Sequence, residues 1–474
     1  MKVGTVLTNN KWLTQSEELT TRYNSWDCIN TAKLIPKIKA NLRASGNEPF
    51  FEKSLWPLVP VVNSMQALGV GYLDKPRRNE MRSRLRKEIS QPEESILDGT
   101  TKSTYTAKLF NSPKQRAKLL FDDWGLPVAK PTRNRRSRST DQAALIWTLN
   151  HLRKKDEPYR HKLHDLFHRS RIQTILERYL VIEGDPDGRV RPTIKLTGTE
   201  TGRFAYAGGP GEAIQQWPPE CRKLIRAREG YVFVSADYSQ LEARILAVLS
   251  QDQLSLQAFA SGRDAHTQNC MDLFGFTETD YENLDSVRKT ALRNYAKTFL
   301  YGLSYGGKPD SIEMKLFCPC FRCVANAPPQ VNLSKAEVGA AAGRWMQAHS
   351  PIMDWRARLV ESVYGVGGDR TWTSPFGYRR RFWEPQDIGE RSLMNYPMQH
   401  CASQIINRAM VELHKLGWPI SLQMHDELVL EVSKDLVGAS LSILKIVMEA
   451  PVPELDDTIF PVSTHVGETW ADLK

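Results

Sequence analysis

Between Leu292 and Leu303, apolar residues fall at i, i+4, i+7, i+8 and i+11 (Leu292, Ala296, Phe299, Leu300, Leu303). That spacing predicts a helix with one buried face. Along the same stretch Arg293, Lys297, Tyr301 and Tyr305 recur every four residues. Each step of four rises ~6 Å and turns ~40° beyond a full circle. Two cations and then two phenols therefore form one slowly winding stripe, suited to a polyphosphate with a base and sugar beside it. Upstream, Tyr231 to Ala236 reads as a buried strand ending in Asp237, with an amphipathic helix (Leu241, Ile245, Leu249) just after. Downstream, Pro419–Met424 and Leu428–Val432 read as strands joined tightly at His425-Asp426-Glu427. A hairpin tip puts adjacent carboxylates into solvent. If this hairpin pairs beside the Asp237 strand, two aspartates face each other, which is costly unless cations bind.

The rest of the pattern is mostly helical. A proline-led apolar run from Leu55 ends near Gly69, and charged helix continues to about Pro92. Phe110-Asn-Ser-Pro-Lys114 and Ser139-Thr-Asp are capped helix starts, and Gly184-Asp-Pro-Asp-Gly188 is a turn cluster. An amphipathic helix covers Ile405 to Leu416.

With 474 residues the chain is long enough for two or more lobes. There is no apolar run long enough to cross a bilayer, and the N-terminus lacks the apolar stretch of a secretion signal. Cytoplasm is the expected compartment, and seven unevenly spread cysteines fit a reducing one. The formal charge of +10 favours a polyanionic partner. Arginines cluster at Arg133, Arg135, Arg136 and Arg138, where a solvated loop is the plainer reading of the run taken alone, and again at Arg379–Arg381, a run that its likeness to a known hairpin, given below, raises to a DNA contact.

The Asp237, Arg293–Tyr305 and His425–Glu427 stretches, in this order, resemble motifs A, B and C of family A DNA polymerases, the bacterial DNA polymerase I family. The Lys-Thr-Phe-x-Tyr-Gly-x-x-Tyr-Gly form of the helix looks most like the phage replicative branch. Thr199-Glu-Thr-Gly-Arg203 resembles the family's Thr-x-Thr-Gly-Arg, and Arg370–Arg381 its basic hairpin. Arg391–Gln399 matches another family motif. The resemblance runs from about residue 50 to the end. It implies an α+β right-hand fold: an antiparallel palm sheet, helical fingers and a helical thumb. The implied divisions are an exonuclease-domain remnant (1–55), entry helices and thumb (56–200), first palm part (201–260), fingers (261–390) and second palm part (391–474).

By the same resemblance Asp237, the Tyr238 backbone and Asp426 would hold two Mg²⁺ ions, for which Mn²⁺ can substitute, with Glu427 in support. Arg293, Lys297, His266 and Gln240 would meet the triphosphate, and Lys297 could protonate the leaving pyrophosphate. Tyr301 would lie against the incoming nucleotide, where a Tyr implies ready acceptance of dideoxynucleotides. Glu242 would close the space a ribose 2′-hydroxyl needs. Primer–template DNA would meet Arg203, Gln215, Tyr305, Asn395, Gln399, His425, Arg391 and Arg379, and dNTPs would be the substrate.

Tyr23 and Asp27 have the Tyr-x-x-x-Asp spacing of the family's last exonuclease motif, but the partner motifs have no room upstream. An inactive remnant is expected, with a separate exonuclease or clamp protein left open as partner. Cys318, Cys320 and Cys323 crowd six residues. Zinc would need a fourth ligand, with Cys270 or His349 as options; reduced thiols packed in a loop are the favoured alternative. Two rivals stand against DNA synthesis, a single-subunit RNA polymerase and a silent DNA-binding subunit. Glu242 and Glu427 argue against the first, and the intact Asp237, Asp426, Arg293 and Lys297 against the second.

Overall fold

The computed structural model describes residues 16–100, 105, 107–128, 138–207, 211–262, 264–304 and 335–473. The first helix, α1 (Glu17–Ala44), starts at Ser16, whose hydroxyl accepts from the Leu19 amide. It buries none of its residues. Tyr23 and Asp27 lie one turn apart on it, and the Asp27 charge raises the Tyr23 pKa. The chain is tied down just past this helix. The Asn47 side chain donates to the Arg379 carbonyl at 2.9 Å and accepts its amide at 2.7 Å.

The strands that position the site are β1 (Tyr231–Tyr238), β2 (Thr371–Thr373), β3 (Arg379–Arg381), β4 (Ile420–Met424), β5 (Glu427–Ser433) and β6 (Val462–Gly467). β2 and β3 form a separate hairpin. The others make one antiparallel sheet in the order β6-β1-β5-β4. Val232, Phe233 and Val234 are buried, as a β-branched and aromatic run in a central strand should be. Truncating a side chain as enclosed as Phe233 costs about 3–5 kcal/mol.

The helices around the sheet are α2 (Leu241–Ser250), α3 (Gln253–Ala260), α4 (Ala265–Phe274), α5 (Ser286–Ser304), α6 (Lys335–Ala348), α7 (Ser350–Tyr364), α8 (Gln386–Lys415) and α9 (Val437–Met448). The Tyr238 hydroxyl donates to the Met448 carbonyl at 2.7 Å, fixing α9 against the sheet. α3 and α4 start at aspartate caps, Asp252 and Asp264. α8 begins well before the predicted Ile405, so Asn395 and Gln399 ride on the same helix despite Pro397 inside it.

One apolar core runs from Leu58 to Leu473 and takes in the sheet, α2, α8 and the segments around Leu58–Leu85 and Ile172–Ile194. Ile96, Leu120, Leu145 and Leu163 belong to a second cluster. Trp372, Phe382 and Tyr396 belong to a third, under the β2–β3 hairpin.

Candidate active site

The sheet register builds the carboxylate end. Asp237, next to last in β1, lies opposite Glu427 on β5 and Ser463 on β6. The Tyr238 amide donates to the Asp426 carbonyl at 3.1 Å, so the Asp426 tip is stitched to the end of β1. His425 makes the turn with φ 56°, a left-handed conformation that His tolerates better than most residues. Asp237 and Asp426 are half-buried.

Glu427 departs from expectation. It is 1 % exposed, not at the solvent-facing tip. The turn takes only His425 and Asp426, so Glu427 is already paired in the ladder, facing inward near Arg222.

Arg203 lies across this end. Its Nη2 pairs with Glu242 and lies 3.5 Å from Asp426 Oδ1. One guanidinium thus offsets the repulsion between carboxylates from two elements. Among the described residues no group of three or more His, Cys, Asp or Glu is arranged to hold a metal. Two carboxylates and a backbone carbonyl still suit a hard cation that takes its other ligands from phosphates and water, as magnesium does.

The cationic side is organised by Asp264, a residue the sequence did not single out. Its carboxylate accepts from Arg293 Nε and Nη2 at 2.8 and 3.0 Å. It also accepts from Gln240 Nε2 at 3.0 Å and from the Thr267 amide and hydroxyl, both at 2.9 Å. Burial alone would raise its pKa, but Arg293 and Thr267 hold it down at about 2. Gln240 itself sits in the left-handed region, φ 55°, where β1 turns into α2. The only advance signal for Asp264 was the cap spacing Asp264-x-x-Thr267.

Arg293 and Lys297 lie one turn apart on α5, with Leu292 and Ala296 buried behind them and Lys297 exposed. His266 is 7 % exposed, and burial lowers its pKa to about 4, with Lys297 and Arg293 adding to the effect against Asp264. At neutral pH it is an uncharged imidazole. Tyr301 belongs to the last turn of α5, but its side chain lies outside the described residues, as does all of Tyr305.

Five of the expected DNA-contacting residues, Arg203, Gln215, Asn395, Gln399 and His425, line one cavity of about 520 Å³. The loop bearing Arg203 is fastened to α8. The Tyr396 hydroxyl donates to the Glu200 carbonyl at 2.6 Å, and the Ser403 hydroxyl to the Thr201 carbonyl at 2.8 Å. Arg380 also lines the cavity, stacked between Phe382 and Tyr396 with ring-centre distances of 4.4 and 4.1 Å and paired with Glu200. Arg380 belongs to the Arg379–Arg381 run expected at DNA, whereas Glu200 is a residue the sequence does not single out. Arg379 and Arg391 are exposed and do not line this cavity.

The remaining expectations fall elsewhere. Cys318, Cys320, Cys323, Arg133, Arg135 and Arg136 lie outside the described residues. Neither proposed fourth zinc ligand suits that role. Both His349 ring nitrogens are taken, Nδ1 by Asp252 at 2.8 Å and Nε2 by Asp272 at 3.2 Å. Cys270 is fully enclosed, and burial pushes its thiol up to about 12. Arg138 is paired with Asp122.

Comparison with known proteins gives the arrangement a lineage. The family model for DNA polymerase family A matches residues 75–472. DNA polymerase I of Geobacillus stearothermophilus is 27 % identical over 436 residues, which is 88 % of this chain and 45 % of the relative. The thermostable DNA polymerase I of Thermus filiformis is 29 % identical over 455 residues, 89 % of this chain and 49 % of the relative. The chain thus spans about half the length of the curated relatives it matches. Among solved structures, the POL domain of Pol1 from M. smegmatis, in complex with DNA primer-template and dNTP, superposes with a TM-score of 0.77 at 23 % identity. That likeness covers 93 % of this chain and 74 % of that one, and gives the fold. No described helix is long and apolar enough to cross a membrane. The chain belongs to DNA polymerase family A.

Proposed function

We propose that this chain adds deoxynucleotides to a primer 3′-OH under direction of a DNA template. One observation carries the reading. The β1–β5 register sets Asp237 beside the Asp426 tip, and Arg203 connects that tip to the cavity lined by Gln215, Asn395, Gln399 and His425. The primer 3′ oxygen forms a bond to the α-phosphorus, and the bond from that phosphorus to the bridging β-phosphate oxygen breaks, releasing pyrophosphate. Divalent cations of the magnesium class, held by Asp237, the Tyr238 carbonyl and Asp426, would lower the pKa of the primer hydroxyl and neutralise the leaving group.

The protein's own groups do the rest. A guanidinium has five N–H donors and the Asp264 pair uses two of Arg293's, so the same residue can be held and still bind triphosphate. Neutral His266 offers an N–H to a phosphate oxygen without adding charge. Lys297 Nζ gives a proton to the departing pyrophosphate oxygen. Glu242, tied to Arg203, narrows the space beside the sugar C2′. Arg203, Asn395 and Gln399 present donors to minor-groove acceptors, whose A·T/G·C degeneracy suits checking of pairing without sequence preference. The α1 face bearing Tyr23 and Asp27 is read as carrying no proofreading chemistry.

Primer extension with dNTPs and Mg²⁺, beside Asp426→Ala, tests this. Extension by the parent chain that is lost in the variant supports the reading. Primer–template binding without extension by the parent chain overturns it.

A further inference from the structure

Two ten-residue helices, α2 and α4, are bridged at both ends. At their N-terminal ends the bridge is the Gln240–Asp264–Arg293 cluster already described. At their C-terminal ends it is an imidazole. Asp252 stands two residues beyond α2 and caps α3, and Asp272 sits in the last turn of α4. His349, at the junction of α6 and α7, joins the two through Nδ1 and Nε2. His349 and Asp252 are each 1 % exposed. An imidazole that bridges two carboxylates through both nitrogens must donate from both, so it is an imidazolium. Burial works against that charge; the two carboxylates outweigh it and raise its pKa to about 9. Asp252 also accepts from the Ser255 amide and hydroxyl, and Asp272 from Gln268 at 3.0 Å, so both carboxylates are fixed independently of His349. The end of α6 grips α4 twice more. Trp345 Nε1 donates to Asn269 at 3.0 Å, and Arg344 Nη2 donates to the Leu273 carbonyl at 3.0 Å.

The near end of α4 carries Asp264 and His266, and the near end of α2 carries Gln240 and Glu242. His266, Gln240 and Glu242 are assigned above to the triphosphate and sugar, and Asp264 holds Arg293, which is assigned there too. A helix of ten residues is ~15 Å long and stiff, so fixing its far end fixes the direction in which its near end points.

We propose that His349 is a positioning residue for nucleotide binding: clamped between Asp252 and Asp272, it sets the alignment of α2 and α4 and so the placement of Asp264, His266 and Arg293. The proposal rests on the polymerase reading. It assigns His349 an effect on nucleotide affinity at a distance, without contact with nucleotide, metal or DNA.

The test is steady-state single-nucleotide insertion by His349→Gln and His349→Lys beside the parent chain, with primer–template affinity and thermal midpoint measured on each. Gln keeps the size but loses the cation; Lys restores the cation. The expected result is a dNTP KM raised about tenfold in the Gln variant, with kcat and primer–template affinity within about twofold. The Lys variant should return most of the way. An unchanged dNTP KM in the Gln variant overturns the proposal. So does a common loss of kcat, KM and DNA affinity in proportion to unfolded protein. If the Gln variant does not fold, Asp272→Asn, which keeps the Asp252 pair, is read instead; the same KM-selective effect at smaller size supports the proposal, and misfolding there too overturns it. Failure of the polymerase reading is distinguishable, because the parent chain would then insert no nucleotide.

Discussion

The two ends of the candidate site are held in different ways. Asp237 and Asp426 are placed by main chain: strand register and one amide–carbonyl bond between Tyr238 and Asp426 set where they stand. Arg293 and Gln240 are placed by side chains, converging on Asp264 at the end of α4 that also carries His266, and α4 is steadied by His349 at its other end. A backbone ladder cannot slip by one residue without turning every side chain to the opposite face. A side-chain cluster can loosen by degrees. The carboxylate end should therefore fail in an all-or-none way when a group is removed, and the cationic end should fail gradually and mainly in nucleotide affinity.

The largest effect should come from the carboxylate end. Asp237→Ala or Asp426→Ala should lower primer extension by at least about a thousandfold. Charge stabilisation at a metal centre amounts to several kcal/mol, and each ~1.4 kcal/mol is a factor of ten in rate. Neither residue contributes apolar core, so primer–template binding and the thermal midpoint should stay close to those of the parent chain. A variant that keeps a tenth of its activity would show that these carboxylates are not the centre of the chemistry.

Next in size is Asp264→Asn. Hydrogen bonds to charged groups are worth about 1.5–3 kcal/mol each, and this change weakens those to Arg293 while leaving Arg293 itself. A dNTP KM raised about tenfold or more, with kcat within about threefold, is the expected outcome. Equal losses in kcat and kcat/KM would instead put Asp264 in the chemical step and erase the contrast between the two ends.

The contrast also explains what could be read from the sequence. Strand runs ending in Asp237 and flanking Asp426 announce themselves by composition and period, so the sheet and the place of these two carboxylates are legible in the sequence. The buried face of α5 was legible too, in Leu292 and Ala296. The placement of Glu427 in the ladder and not at the tip is not legible, because one residue of turn length decides whether a side chain enters the ladder or leaves it. Asp264 went unseen because its importance lies in partners 24 and 29 residues away, which no local period encodes. His349 reads equally as a zinc ligand, because a lone histidine in sequence does not reveal whether its neighbours in space are thiolates or carboxylates. The sequence places Arg380 in a run expected at DNA, but not its stacking on Phe382 and Tyr396, which only the packing sets.

A third prediction uses pH to probe the side-chain-held end. The folded-state pKa of His349 is raised to about 9, against an unfolded value of ~6.5. A group raised in this way contributes stability that is fully present below about pH 6.5 and is lost as pH climbs through about 9. Urea unfolding of the parent chain from pH 6 to pH 10 should therefore show a decline of at most a few kcal/mol over that window, and His349→Gln should lack that decline. His266 has the opposite sign, being lowered to about 4. Keeping it uncharged works against folding as pH falls below ~6.5, with the full penalty reached below about 4. If the alkaline decline persists unchanged in His349→Gln, another group is responsible and the imidazolium clamp is not a stabilising element.

The smallest expected effect concerns the segment that neither end of the site contains. Asn47 presents its amide to the main chain of Arg379 much as a neighbouring strand would, donating to the carbonyl and accepting from the N–H. Phe50, close behind it, packs on Tyr378 and His400 at ring-centre distances of 5.0 and 5.8 Å. The side-chain amide therefore extends the β2–β3 hairpin by one mock residue and fastens the end of α1 to it. Both bonds are solvent-accessible, so Asn47→Ala should cost about 1 kcal/mol, a change that global unfolding would barely register. Amide hydrogen exchange reads it directly. The Arg379 N–H should exchange about five- to tenfold faster in the variant, since ~1 kcal/mol of local opening energy corresponds to a factor of about five. Nucleotide KM and kcat should not move, because neither Asp264 nor the Asp237–Asp426 pair bonds to this hairpin. Acceleration confined to the hairpin would make it a third region, fixed by one side chain imitating main chain and independent of both ends of the site. Acceleration that spreads along α8 to Tyr396 and the Glu200 loop would mean that the clamp on α1 reaches the DNA-facing cavity through the aromatic cluster under the hairpin.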